Sequence, residues 1–257
     1  MFSPRHLYSI VAFGAVLGLW WAASGMGWIG PFLLPSPDKV MKTMVELAQS
    51  GELSRHTLIS LQRVGAGYLL AVGLALLLAL TFSKSAMTRQ LLDPLLEFMR
   101  QIPPLALMPL LMLWLGIGEA QKVGIIVLAC FFPIFLGMRS GIAQVDPKLI
   151  EVGKVCGLSD REIMWRIVLP SSLPSIVVGL RIGLGYSWRA LVGAELIASS
   201  AGLGYLIVDA ENLARTDIVL AGIFVIGAIG ILADQLLKIG IVRSAPWLAT
   251  NLETARA

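Results

Sequence analysis

The chain has 257 residues, of which 57% are hydrophobic and only 14% charged, with a mean hydropathy of +0.82. That balance lies outside the range of a soluble globular domain and reads as an integral membrane protein. The formal charge of +4 comes from dispersed bases, with no basic stretch interleaved with aromatics, which argues against nucleic acid and for a positive-inside bias.

Arg5 and His6 precede an apolar stretch from Leu7 to Met26. Ala22 and Ala23 are small residues near a possible cleavage site, so a removed signal peptide is the rival reading. A run of about twenty residues exceeds a signal core of about 7 to 15, and predicts a retained membrane helix. Gly14 and Gly18 form a small-xxx-small pair, either a close-packing site or ordinary lipid-facing glycine. After a turn-rich stretch, residues 37–51 place Val40, Met44, Leu47 and Ala48 at helical spacing, which predicts a short amphipathic helix at the outer interface.

A second span is expected from about Ser54 to Phe82. His56, near its start, reads as an interfacial polar residue rather than a proton relay. The short loop that follows, SKSAMTRQ, holds Lys84 and Arg89 and no acid, a cytoplasmic signature. The third segment, Leu91 to Gly116, is expected to start with Asp93 and Pro94 as cap and first turn, and Glu97 and Arg100 are spaced to pair. Pro103, Pro104 and Pro109 then interrupt it. In a bilayer a broken hydrogen-bond ladder is tolerable only against protein or a wet cavity, so a broken helix lining a path is expected, with a kinked packing helix as the alternative. Val123 to Gly137 completes a fourth span.

Residues 146–170, DPKLIEVGKVCGLSDREIMWRIVLP, form a polar island between apolar runs. Asp146 and Pro147 read as N-cap and first helical position, Gly157 as a helix end, and Ser159 with Glu162 as a capping box, so two short helices are expected to meet at Gly157. A side chain at Gly157 is expected to obstruct that turn. Ile176 to Ile197 and Asp217 to Ile239 are the fifth and sixth spans, joined by the acidic stretch GLGYLIVDAENLARTD. Arg5, Lys84, Arg89, Arg139, Lys148, Lys154, Arg161, Arg166, Lys238, Arg243 and Arg256 then fall inside. Lys39, Lys42, Arg55, Lys122 and Arg215 fall outside or at the outer edge, which fits six spans with both termini cytoplasmic.

The fifth span carries Arg181, Trp188, Arg189 and Glu195 among apolar residues, where ionisable groups are costly and face protein or water. Arg181 and Glu195 share a face, while Arg189 points roughly a quarter turn away. Arg189 is expected either to give a path a positive potential suited to an anion or to form a structural pair with Glu195 or Glu97. Gly179 and Gly183 form a second small-xxx-small pair, expected where two chains approach. The two cysteines, Cys130 and Cys156, have no metal-ligand spacing, and no metal, nucleophile or ATP-binding G-x-x-x-x-G-K-[ST] constellation is present.

Glu151, Gly157, Ile167, Leu169 and Pro170 match at every fixed position the cytoplasmic EAA loop of ABC importer membrane subunits, with Val152 and Gly153 in place of its two alanines. The flanking segments LPSP (Leu34 to Pro37), SLQRVGAGY (Ser60 to Tyr68), RQIPPLALMPLLMLWLGIG (Arg100 to Gly118), GLRIGLGYSWRALVGAELI (Gly179 to Ile197) and GLGYLI (Gly202 to Ile207) make the chain resemble the permeases of nitrate, taurine and aliphatic sulfonate importers. The resemblance implies an all-α, six-helix type I importer permease fold filling residues 1–257 as one domain. It also implies a bacterial plasma (inner) membrane location, a homodimer of permease chains, two ABC ATPase subunits and an external solute-binding protein. No cofactor is expected on this chain; ATP and magnesium belong to the ATPase. The coupling surface it implies is Glu151, Val152, Gly153, Lys154, Gly157, Ile167, Leu169 and Pro170. Pro103, Pro104, Arg181, Trp188, Arg189 and Glu195 are the translocation-path candidates read from the residues themselves. A stand-alone secondary transporter or channel, which would need paired ionisable groups in several spans, is the competing reading. An intramembrane enzyme and the permease of another ABC subfamily are further alternatives.

Overall fold

The computed structural model describes residues 4–244 and Trp247, and every regular element among them is helical. The side chains of Arg5, His6 and Lys84, and the whole of Arg256, lie outside the described residues. Among the described residues four helices are long and apolar enough to cross a membrane: Glu52–Ser83, Glu119–Ala143, Asp160–Ile197 and Thr216–Arg243. The pair Ala86–Arg100 and Pro104–Leu115, bent by 90°, makes a fifth if it is one span. The expected first span falls on α1 (Pro4–Gly25).

The chain divides into two compact units, Met1–Ser60 with Ser199–Ala228 and Leu61–Ala198 with Ile229–Ala257. The first is built on α1, α2 (Pro37–Gln49), the opening turns of α3 (Glu52–Lys84), α10 (Leu203–Asn212) and the opening turns of α11 (Thr216–Ser244). Ser36 caps α2 by accepting from the Lys39 N–H, and Pro37 takes the first-turn position where its missing donor costs nothing. Val40, Thr43 and Leu47 form the buried face of α2, packed with Trp20, Ile218 and Ala221. The Thr43 hydroxyl donates to Asp217 at 2.9 Å.

His56 is not an interfacial residue, contrary to the sequence expectation: it is 1% exposed. Its Nδ1 accepts the Gly202 N–H at 2.9 Å, and one turn on, the Ser60 hydroxyl accepts the Leu203 N–H at 2.9 Å. Two side chains at i and i+4 on α3 thus satisfy donors at the start of α10 that the helix itself leaves unpaired. The connection GLGYLIVDAENLARTD is mostly this helix rather than a loop.

The second unit holds the rest of α3, α4 (Ala86–Arg100), a 3-10 turn (Pro104–Leu107), α5 (Met108–Leu115), α6 (Glu119–Ala143), α7 (Pro147–Val155), α8 (Asp160–Ile163), a π turn (Met164–Val168) and α9 (Leu169–Ile197). The expected loop SKSAMTRQ shrinks to Ser85, the N-cap of α4. Asp93 and Pro94 do not start a helix; Pro94 lies inside α4, and Asp93 forms a bidentate pair with Arg139 at 2.5 and 2.9 Å. Short-range pattern favours Asp-Pro as a cap, but Ser85 supplies an earlier one and a long-range partner claims the carboxylate. Glu97 and Arg100 do pair, at 2.8 Å.

α6 and α9 approach closely because glycines face each other. A Cβ on Gly179 would sit 2.9 Å from the Gly137 Cα and from the Pro133 carbonyl oxygen, and one on Gly183 would sit 2.5 Å from the Ile134 side chain. The Gly179/Gly183 pair therefore serves packing within the chain rather than the approach of two chains. A Cβ on Gly14 or Gly18 would meet nothing within 4 Å.

Candidate functional site

Residues 146–168 form a rigid knob between α6 and α9. Asp146 accepts from the Lys148 N–H at 2.9 Å to start α7. At its end the Leu158 N–H donates to the Gly153 carbonyl at 3.0 Å and the Gly157 N–H to that of Lys154 at 2.9 Å, the paired bonds of a Schellman turn. Gly157 has φ +77°, and a Cβ there would meet nothing within 4 Å. The expectation that a side chain would obstruct the turn is corrected: glycine is required by the left-handed backbone, not by space. Ser159 and Glu162 form the capping box, both bonds present. The second short helix then runs through the π turn, where the Leu169 N–H bonds to Met164, into α9 without a break. This widened turn precedes Pro170, whose ring cannot fit a regular ladder.

The knob is held from beneath by Val145, Ile163 and Val168 with Ile150 and Leu158. Gly153, at the second alanine position of the pattern, is buried where a Cβ would lie 2.7 Å from Ile167 Cδ1 and 3.1 Å from Ile163 Cγ1. The bulkier Ile163 and Ile167 occupy the room that an alanine methyl would take. Glu151, Val152, Lys154 and Val155 are exposed, with Val152 at 58% and Val155 at 88%. An apolar pair this open on a charged helix belongs to the surface and not to the core. Ile167, Leu169 and Pro170 are half-buried at its base.

A groove of about 800 Å³ runs between α4, α6 and α9, lined by Glu97, Pro133, Arg139, Ser140, Ser175 and Ile182 among others. A smaller one of about 380 Å³ shares Pro133, Leu136 and Ile182 and adds Arg100, Pro104 and Tyr186. Pro103 precedes the 3-10 turn at the 90° break, far beyond an ordinary proline kink. Arg189 is exposed with its guanidinium 5.9 Å from the centre of the Tyr186 ring, one turn beyond the groove wall. Among the described residues it makes no ion pair with Glu195 or Glu97: Glu195 binds Arg63, and Glu97 binds Arg100.

The other path candidates on α9 turn into the protein. Arg181 binds Asp234 through two bonds of 2.9 and 2.7 Å, and Trp188 is buried beside Gly230. Glu195, 1% exposed, accepts from Arg63 at 2.7 Å, and Arg63 also binds Glu119 twice at 2.6 Å. Lys122 joins Glu119 at 3.4 Å. In the sequence Arg63 lies within the expected second span, and Glu119 in the stretch between the expected third and fourth. The signal the sequence lacks is the opposite charge on a distant helix at matching depth. Among the described residues no group of acidic, histidine and cysteine side chains has the makings of a metal site.

The model of the family described as "Binding-protein-dependent transport system inner membrane component" matches residues 71–240. A putative aliphatic sulfonates transport permease of Bacillus subtilis (strain 168) is 38% identical over 87% of this chain and 81% of its own length. A taurine transport system permease of Escherichia coli (strain K12) is 36% identical over 95% of this chain and 91% of its own. Among solved structures, an amino acid ABC transporter crystallised with histidines superposes with a TM-score of 0.61, covering 78% of this chain and 97% of that one at 17% identity, a likeness of fold alone.

Proposed function

Because the chain belongs to the family of binding-protein-dependent transport system inner membrane components and is a multi-pass inner-membrane protein, we propose that it is the membrane subunit of an ATP-driven importer. It forms the path for a small solute bearing an anionic group, an aliphatic sulfonate, taurine or nitrate, handed over by an external binding protein. Two copies pair with two ATPase subunits. In this reading both termini and the knob at 146–170 face the cytoplasm, α1 is the first of six spans, and α2 lies at the outer interface.

The observation that carries the reading is the knob: a Schellman turn, a capping box and an isoleucine floor hold Val152 and Val155 rigidly in the open. A surface kept apolar and exposed at that cost suits docking on a partner that moves. Closure of the ATPase pair on ATP supplies the driving force; the knob receives it, and rigid-body motion of the helices opens the path to alternate sides. An equimolar chain bearing G-x-x-x-x-G-K-[ST] is expected to co-purify with the full-length permease in mild detergent. Gly157→Val, forcing a β-branched residue into φ +77°, is expected to weaken that association about tenfold, within the 1–3 kcal/mol such strain costs. Recovery of the chain alone, with uptake into liposomes that needs no ATP, would instead establish a stand-alone transporter or channel.

Arg189 supplies the positive potential at the groove. Its neutral replacement Arg189→Met is expected to reduce anion uptake by about tenfold or more while leaving ATPase association intact, and Arg189→Lys to retain most of it. Uptake by Arg189→Met at the wild-type rate would remove this residue from the path.

A further inference from the structure

Two of the membrane-crossing helices of the second unit finish at one place. α3 runs to Lys84 and α6 to Ala143, and a cavity of about 240 Å³ opens between these ends and the first turn of α4. Its apolar walls include Phe82, Ile142 and Ala143, and its polar lining includes Arg139 and Arg89. The two guanidiniums are not equivalent. Arg139 is neutralised by its bidentate pair with Asp93 and lies over the Phe82 ring at 5.6 Å. Arg89 is exposed, has no carboxylate against it among the described residues, and stands in a first helical turn that contains no acid.

One uncompensated guanidinium above hydrocarbon walls, at the depth where two spans run out, selects a ligand that is anionic at one end and aliphatic at the other. A free anion would gain nothing from Phe82 or Ile142. We propose that this cavity holds the headgroup of an anionic phospholipid, with its phosphate on Arg89 and its glycerol and first methylenes against Phe82, Ile142 and Ala143. Guanidinium and phosphate match in charge and planar donor geometry, and basic pockets between helices at a membrane face bind such headgroups. α4 continues the fit: Met87, Leu91, Leu95 and Phe98, each more than half exposed, form an apolar stripe from the cavity along the helix where an acyl chain can lie. No residue of α4 is buried. The proposal requires only that the chain cross a membrane, and it stands apart from what the chain transports.

The test is native mass spectrometry of the full-length chain, delipidated in detergent and then exposed to phosphatidylglycerol or phosphatidylcholine with identical acyl chains. Wild type is expected to retain phosphatidylglycerol with about fivefold preference, as one unpaired basic residue provides. Arg89→Gln should bring the preference to about one, Ala143→Trp should lower phosphatidylglycerol retention by filling the cavity, and Arg161→Gln, an exposed base on the knob, should leave both unchanged. Undiminished preference in Arg89→Gln, or an equal loss in Arg161→Gln, would overturn the proposal. So would displacement of the lipid by glycerol 3-phosphate as readily as by a short-chain phosphatidylglycerol, which would define a free-anion site.

Discussion

Arg63→Met is expected to destabilise the chain by about 3–5 kcal/mol, because it leaves a buried carboxylate without its partner. Arg63 and Glu195 are 4% and 1% exposed, and their bond of 2.7 Å joins α3 to α9. The same guanidinium holds Glu119 with two bonds of 2.6 Å, but that acid is open to solvent and keeps Lys122 at 3.4 Å, so the cost falls on the buried Glu195. Arg63→Lys should recover only part of the loss, since a single ammonium cannot present a planar fork to both carboxylates. The double variant Arg63→Met/Glu195→Leu should be markedly more stable than Arg63→Met alone, because it removes the stranded charge with its partner. Thermal unfolding in detergent checks this. A loss of this size corresponds to a fall in Tm on the order of 10 °C, and a shift below about 2 °C would show that the cluster is solvated and dispensable.

The second large effect is expected at the helix crossing. Gly179→Val would place its Cβ 2.9 Å from the Gly137 Cα and the Pro133 carbonyl oxygen, both backbone atoms that no rotamer change can move. α6 and α9 must then part along their length, opening gaps at Gly141 and Gly183, where neighbours are equally near. Overpacking in a well-fitted core costs about 1–3 kcal/mol and more where backbone must shift, so the variant is expected to fold poorly or melt early. Gly185→Ala in the same helix, with nothing within 4 Å of its Cβ, is the control. It should match or exceed wild-type stability by up to about 1 kcal/mol through helix propensity. Equal melting of the two variants would show that the crossing is not tight.

Much of this architecture is legible in the chain. The apolar runs mark the spans, and the local signals of the knob, Asp146-Pro147, Gly157 and the Ser159/Glu162 box, act within a few residues and so survive the move from pattern to structure. What is not legible depends on partners far away in the sequence. Gly179 looks the same whether it faces a second copy or Gly137, and His56 looks interfacial until Gly202, 146 residues on, donates to its ring. The break after Arg100 can be read from its prolines, but its angle cannot, because a proline removes a hydrogen bond without fixing the new direction. Arg189 stands out for being costly in an apolar helix, and that cost marks Arg181 and Glu195 equally; only the carboxylate facing Arg181 and the guanidinium facing Glu195 set those two apart from Arg189.

The glycine contact between α6 and α9 also decides how the intervening segment can behave mechanically. α6 ends at Ala143, and an unbroken helical rod from Asp160 to Ile197, 38 residues or about 57 Å at a helical rise, begins on the other side of α7. The two arms are clasped where Gly137 and Gly141 meet Gly179 and Ser172, and the helical arm that starts at Asp160 departs from the regular ladder at the π turn, Met164–Val168. A handle fixed to two locked shafts cannot wag by itself. A force on Val152 or Val155 swings the whole hairpin as a crank, or else is taken up at the turns on either side of α7 and at the π turn.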